Sequence, residues 1–130
     1  MRVVIDCNVL IAAAITDGTC RAVIQRVVER DDIYVSEPIL EEYRDVAMRP
    51  KYLKYQATAL SIISLLESVM HQVMPLEIVP VLPDPQDAVY LATALAAQAD
   101  AIITGNTKDF PPKSCAPVKI LTPRQYLDDA

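Results

Sequence analysis

Along the chain, short apolar runs alternate with longer amphipathic stretches. Residues 2–6 are a run of Val and Ile that ends on an acid, and they predict a short buried strand. A helix is expected from about Asn8, with a break at Asp17-Gly18 and a new start at Thr19, which suits an N-cap; this second helix runs to Arg30. Residues 33–35 predict a second strand. Ser36 then caps a helix that tolerates Pro38 in its first turn and is disturbed at Pro50. Residues 57–74 predict one long core helix ended by Pro75, and residues 78–82 a short extended piece among prolines. Asp84-Pro85 opens a further helix, with the acid as cap and proline first, that reaches about Gln98. Residues 101–104 and 118–121 predict two more strands, and Thr122-Pro123 starts a terminal helix.

These strands are too short and too apolar for a half-exposed sheet. The expected fold is α/β: a central parallel sheet of four to five short strands with helices on both faces, built as one domain over residues 1–130. The composition agrees, since 52% of the residues are hydrophobic and 22% charged, enough for a packed core. Cys7, Cys20 and Cys115 are odd in number and form no CxxC pair, so neither a disulfide framework nor a zinc knuckle is suggested. A reducing, cytoplasmic setting is expected. Residues 3–15 are interrupted by Asp6 and Asn8 and residues 57–74 by Glu67 and His71, so neither a signal peptide nor a membrane span is expected.

The formal net charge of −5 weighs against a nucleic-acid binder, because phosphate contacts need Lys and Arg. Two features offset it. Arg44, Arg49, Lys51 and Lys54 cluster with Tyr52 and Tyr55 between them, and acids gathered around a cation would be neutralised in the working protein. Of that cluster, Arg49, Lys51 and Lys54 are weak candidates for RNA contact; a solvated face is the commoner use of such a run.

In open parallel sheets, sites form beyond the carboxyl ends of the strands. Here those ends carry Asp6 and Asn8, then Ser36 leading into a helix with Glu42, then Thr104, Asn106 and Asp109, with Asp84 and Asp87 at a helix start. Acids that converge from distant segments without basic partners suggest a divalent-cation site, and oxygen ligands suit Mg²⁺ or Mn²⁺. Steps of about 100° per residue put Glu42 at the edge of the apolar face formed by Ile39, Tyr43 and Val46, and Glu41 on the far side. Arg49 projects to the same side as Glu42. Asp6 in an apolar strand needs either a function or an unseen donor. Asn8 has two readings, a helix cap or an orienting partner. Asp84 is read first as a cap. His71, the sole histidine, is expected on a helix surface or facing a partner, and Cys7 as a buried, inert thiol.

The segments VVIDCNVL, SEPILEEY and DPQDAVYLATALAAQADAIITGNTKDF resemble the successive motifs of the PIN domain, across essentially the whole chain. They are similar to the small prokaryotic members that act as toxins of toxin–antitoxin pairs, the VapC-type ribonucleases. The resemblance implies Mg²⁺- or Mn²⁺-dependent RNA cleavage leaving 5′-phosphate and 3′-hydroxyl ends, a cognate antitoxin and, often, a homodimer. Carried over by residue, Asp6, Glu42 and Asp87 match the family's first three acids, which bind metal and carry catalysis, and Asn8 and Thr104 match their polar companions. Where the family often has a fourth acid, this chain has Asn106, which supplies no charge; Asp109 either takes over or faces solvent. Two rival functions are a phosphatase with Asp6 as phosphoryl acceptor, which usually needs an acid where Asn8 stands, and a partner-binding module with a weakened site.

Overall fold

A computed structural model describes residues 1–128; residues 129 and 130, the end of the expected domain, lie outside the described residues. Five strands pair in parallel: β1 (Arg2–Ile5), β2 (Asp32–Val35), β3 (His71–Gln72), β4 (Ala101–Ile103) and β5 (Lys119–Leu121), in the order β3-β2-β1-β4-β5. Beyond Arg2 at its exposed start, the two central strands are aliphatic. Val3, Val4 and Ile5 lie level with Ala101, Ile102 and Ile103, and all six are fully buried. Such strands have no solvent face, which is the pattern of a parallel sheet covered on both sides.

Helices α1 (Cys7–Ile15) and α2 (Thr19–Arg30) connect β1 to β2, and α3 (Glu37–Ala47) and α4 (Gln56–Glu67) connect β2 to β3. The chain then crosses back through α5 (Ala88–Ala96) to β4, on the other side of β1, before α6 (Pro112–Cys115), β5 and α7 (Pro123–Asp128). With right-handed crossovers, this reversal of direction places helices on both faces of the sheet. It also makes the gap between the carboxyl ends of β1 and β4 the switch point of the topology. The core is completed by the buried rings of Tyr43, Tyr90, Phe110 and Tyr126. Among the described residues no single helix is long and apolar enough to cross a membrane.

The expected helix over residues 57–74 is shorter than its apolar pattern. It ends at Glu67, where Met70 N–H returns to the Leu66 carbonyl (2.8 Å), and His71–Gln72 pairs with Tyr34 and Val35 as an edge strand. Backbone pairing with β2 outweighs the local helical pattern there. His71 therefore lies on a strand, not on a helix; it is exposed, with its ring 5.1 Å from that of Tyr34. Residues 78–82 form no strand: Ile78 and Val81 are exposed and only Leu82 is buried.

The helix expected from Asp84 opens as a tight 3₁₀ turn, Pro85–Asp87, and α5 stops at Ala96. Gln98 takes a left-handed φ of 52°, and Ala99 N–H bonds back to the Ala94 carbonyl (2.8 Å), a Schellman-type end. Pro50 starts a 3₁₀ segment (Pro50–Tyr55) in place of the end of α3. At two caps the side chain acts differently from expectation. Gly18, not Thr19, precedes α2, and Ser36 holds the cap position of α3 while its buried hydroxyl pairs with that of Thr93 (2.7 Å).

Candidate metal centre

Asp6 is placed by the sheet. Its N–H bonds the Ile103 carbonyl (3.0 Å), extending the β1–β4 ladder to the switch point, and the chain turns into α1 at the next residue. As N-cap residue of α1 it makes no side-chain cap bond, so its carboxylate serves elsewhere. Asp6 is 6% exposed, and its Oδ2 accepts from the Thr104 hydroxyl (2.8 Å) and from Asn8 Nδ2 (3.3 Å). These are the donors that a buried acid in an apolar strand requires. Thr104 is fixed in turn by its own N–H on the Leu121 carbonyl (2.9 Å), and its oxygen accepts from the Asn106 N–H (3.0 Å). Asn8 lies inside α1 and caps nothing. Its Oδ1 accepts from Gly105 N–H (3.1 Å), so it ties the loop after β4 to the acid.

Glu42 reaches the same place from α3. It is half-buried while Glu41 is exposed, and its Oε1 accepts from the Tyr90 hydroxyl (2.8 Å). Asp6, Cys7 and Glu42 each bring a potential ligand atom within 4.8 Å of the others. Asp84, Asp87 and Asp109 form a second group, with carboxylate oxygens also within 4.8 Å of one another. Asp84 is the expected cap, accepting from Gln86 N–H (2.9 Å), yet it is also a member of this group. Asp109 is half-buried there and accepts from Asn106 Nδ2 (2.5 Å).

The two groups stay distinct, and the charge of Asp6 is felt across them at Asp87. Burial raises the Asp6 carboxyl above its ordinary range, the Thr104 hydroxyl and the Asn8 backbone N–H oppose that rise, and Glu42 adds to it. Asp87 is pushed up to about 7, first by burial and then by the charges of Asp6, Asp109 and Asp84. The Cys7 thiol is raised by burial and by Glu42 and Asp6, which keeps it protonated and unreactive. Among the described residues no lysine, arginine or histidine pairs with any of these acids; the ion pairs present are elsewhere. Hard oxygen donors that repel one another and lack a cationic partner fit a divalent cation.

The basic residues are not drawn into this site. Arg49 pairs with Asp45 (3.4 Å), while Lys51 and Lys54 lie over the rings of their neighbours Tyr52 and Tyr55. Two residues that sequence reasoning missed stand beside the acids. Tyr43, fully buried, donates to the Ile5 carbonyl at the end of β1, and Tyr90 donates to Glu42. For Tyr90 a signal existed: it is the one aromatic ring in a helix otherwise of Ala, Leu, Val and Thr, three positions after Asp87 and hence on its face.

A PIN-domain family model matches residues 2–108. The chain belongs to the PIN-domain family. Solved structures similar to this PIN domain include VapBC2 from Rickettsia felis bound to a DNA fragment from their promoter (TM-score 0.63, 14% identity, 94% of this chain and 98% of that one). VapBC-1 from nontypeable Haemophilus influenzae is similar too (0.63, 17%, 95% and 99%), as is FitAcB from Neisseria gonorrhoeae (0.59, 19%, 94% and 98%). At these identities the likeness is one of fold. No curated protein matches the chain in sequence.

Proposed function

We propose that this PIN domain is a divalent-cation-dependent endoribonuclease and the toxin of a toxin–antitoxin pair. The observation that carries the reading is a pair of neighbouring carboxylate groups at the switch point, Asp6 with Glu42 and Asp87 with Asp84 and Asp109, buried or half-buried and, among the described residues, without a cationic partner. Asp6, Glu42 and Asp87 would hold Mg²⁺ or Mn²⁺, with Asp6 the anchor because the sheet and Thr104 fix it. Such an ion supplies Lewis-acid charge for the phosphate and lowers the pKa of water to a usable nucleophile.

The chain's own residues set up the rest. Thr104 and Asn8 donate to Asp6 and hold its carboxylate in one orientation. Asn106 donates to Asp109 and adds no charge where an acid would. Arg49, Lys51 and Lys54, exposed beyond the carboxyl end of α3, are the candidates for distant phosphates of an RNA strand. The toxin assignment, with an antitoxin as partner and a homodimer as assembly, is supported by the sequence motifs and by likeness of fold to the VapBC and FitAcB structures.

Incubation of structured RNA with the purified protein tests the activity. Cleavage is expected with Mg²⁺ or Mn²⁺, none with chelator, and the products should carry 5′-phosphate and 3′-hydroxyl ends. Intact RNA under every metal condition, from a folded protein, would overturn the ribonuclease reading.

A further inference from the structure

We infer that Tyr90 is a positioning residue for the cation site: it locks Glu42 as a ligand and couples it to the start of α1. The inference rests on the proposal that these acids bind a divalent cation. Tyr90 is fully buried, and its hydroxyl has two partners. It donates to Glu42 Oε1 (2.8 Å) and accepts from the backbone N–H of Cys7 (3.3 Å). Cys7 is the first residue of α1, so its N–H is one of the helix-start groups without a partner inside the helix.

The relay therefore runs from a helix N-terminus through a phenol to a carboxylate. Accepting from the N–H polarises the hydroxyl and makes it a better donor to Glu42. Glu42 arrives on α3, while Asp6 and Cys7 sit at the junction of β1 and α1, and Tyr90 rides on α5. Its single oxygen thus ties three helices at the point where the acids meet. A carboxylate has about four acceptor positions, so one bond from Tyr90 fixes Glu42 and leaves it able to bind a cation. Without that bond Glu42, with three side-chain torsions beside the charge of Asp6, keeps only the weaker Cys7 thiol as a donor in the metal-free protein.

The test is a double-mutant cycle on Mn²⁺ affinity, measured by isothermal titration calorimetry on wild type, Tyr90→Phe, Glu42→Gln and the double variant, each checked for folding by circular dichroism. If Tyr90 acts through Glu42, Tyr90→Phe weakens Mn²⁺ binding roughly ten- to hundredfold, the scale on which partners of metal ligands act. In the Glu42→Gln background the same change should then cost less than about twofold, because the ligand it serves is gone. A merely structural hydroxyl would weaken binding equally in both backgrounds, and that result overturns the inference. So does Mn²⁺ affinity unchanged by Tyr90→Phe. Failure of folded wild type to bind Mn²⁺ would remove the cation site itself, and this inference with it.

Discussion

Thr104 donates its hydroxyl proton to Asp6 across 2.8 Å, joining the carboxyl ends of β4 and β1 through side chains 98 positions apart. Both residues are buried, and the threonine oxygen also accepts the Asn106 N–H. One hydroxyl thus satisfies an acid and organises the loop that follows.

Thr104→Val keeps the shape and removes both functions. It should destabilise the fold by about 1–3 kcal/mol, the cost of leaving buried polar groups unpaired, whereas Thr104→Ser should stay near wild type. Urea denaturation of the three proteins checks this. A valine variant as stable as wild type would mean that Asp6 finds its donors elsewhere.

The acids make stability depend on pH. The carboxyls of Asp87, pushed up to about 7, and Asp6, also raised, hold protons more tightly in the folded chain than in the unfolded one. Stability from this source is complete below the ordinary carboxyl pKa of about 4 and is lost as pH rises toward 7. In chelator, the melting temperature should therefore fall across that window, and Asp87→Asn should flatten the fall. Mn²⁺ competes with the same protons, so its affinity should rise over the same range. Melts from pH 4 to 8, with and without Mn²⁺, measure both slopes; a metal-free profile that rises throughout would contradict the acid cluster.

Glu42 and Glu41 are adjacent in sequence and separated by the structure, one half-buried against Tyr90 and one exposed. Glu42→Gln should lower metal-dependent RNA cleavage at least about tenfold, the scale of a weakened metal ligand set. Glu41→Gln should leave it unchanged. Equal losses in a cleavage time course would show that α3 does not present Glu42 to the reaction.

That distinction could be read from the sequence because helical geometry fixes which face a residue takes. The central strands were legible for a similar reason: runs such as Val3-Val4-Ile5 and Ala101-Ile102-Ile103 have no polar side and must be covered twice. Strand β3 was hidden, since His71-Gln72 has neither strand composition nor length, and only the edge of β2 makes it a strand. The partners inside the site were hidden too. Asp6 looked unsupported because Thr104 is remote in sequence, and Tyr90 drew no notice because its acceptor lies 48 positions away. Asp84 read as a cap, which it is, but its place beside Asp87 and Asp109 needs the loop after β4 to fold back.

Asn106 offers a gain rather than a loss. Asn106→Asp would add a charge beside Asp109 and remove the donor that now quiets it. The variant should melt lower than wild type in chelator and bind Mn²⁺ more tightly, since repulsion without the ion becomes attraction with it. Paired melts and calorimetric titrations decide it, and unchanged affinity would place Asn106 outside the cation's reach.

The cation site and its cleavage of RNA both turn on Asp6. RNA cleavage in Mn²⁺ by wild type and Asp6→Asn, with melting temperatures of both in chelator, tests the two together. The variant loses a buried charge whose carboxyl is already raised. At neutral pH it should melt no lower than wild type, gain little from Mn²⁺, and not cleave. A folded Asp6→Asn protein that cuts RNA at the wild-type rate would remove Asp6, and the site built on it, from the reaction.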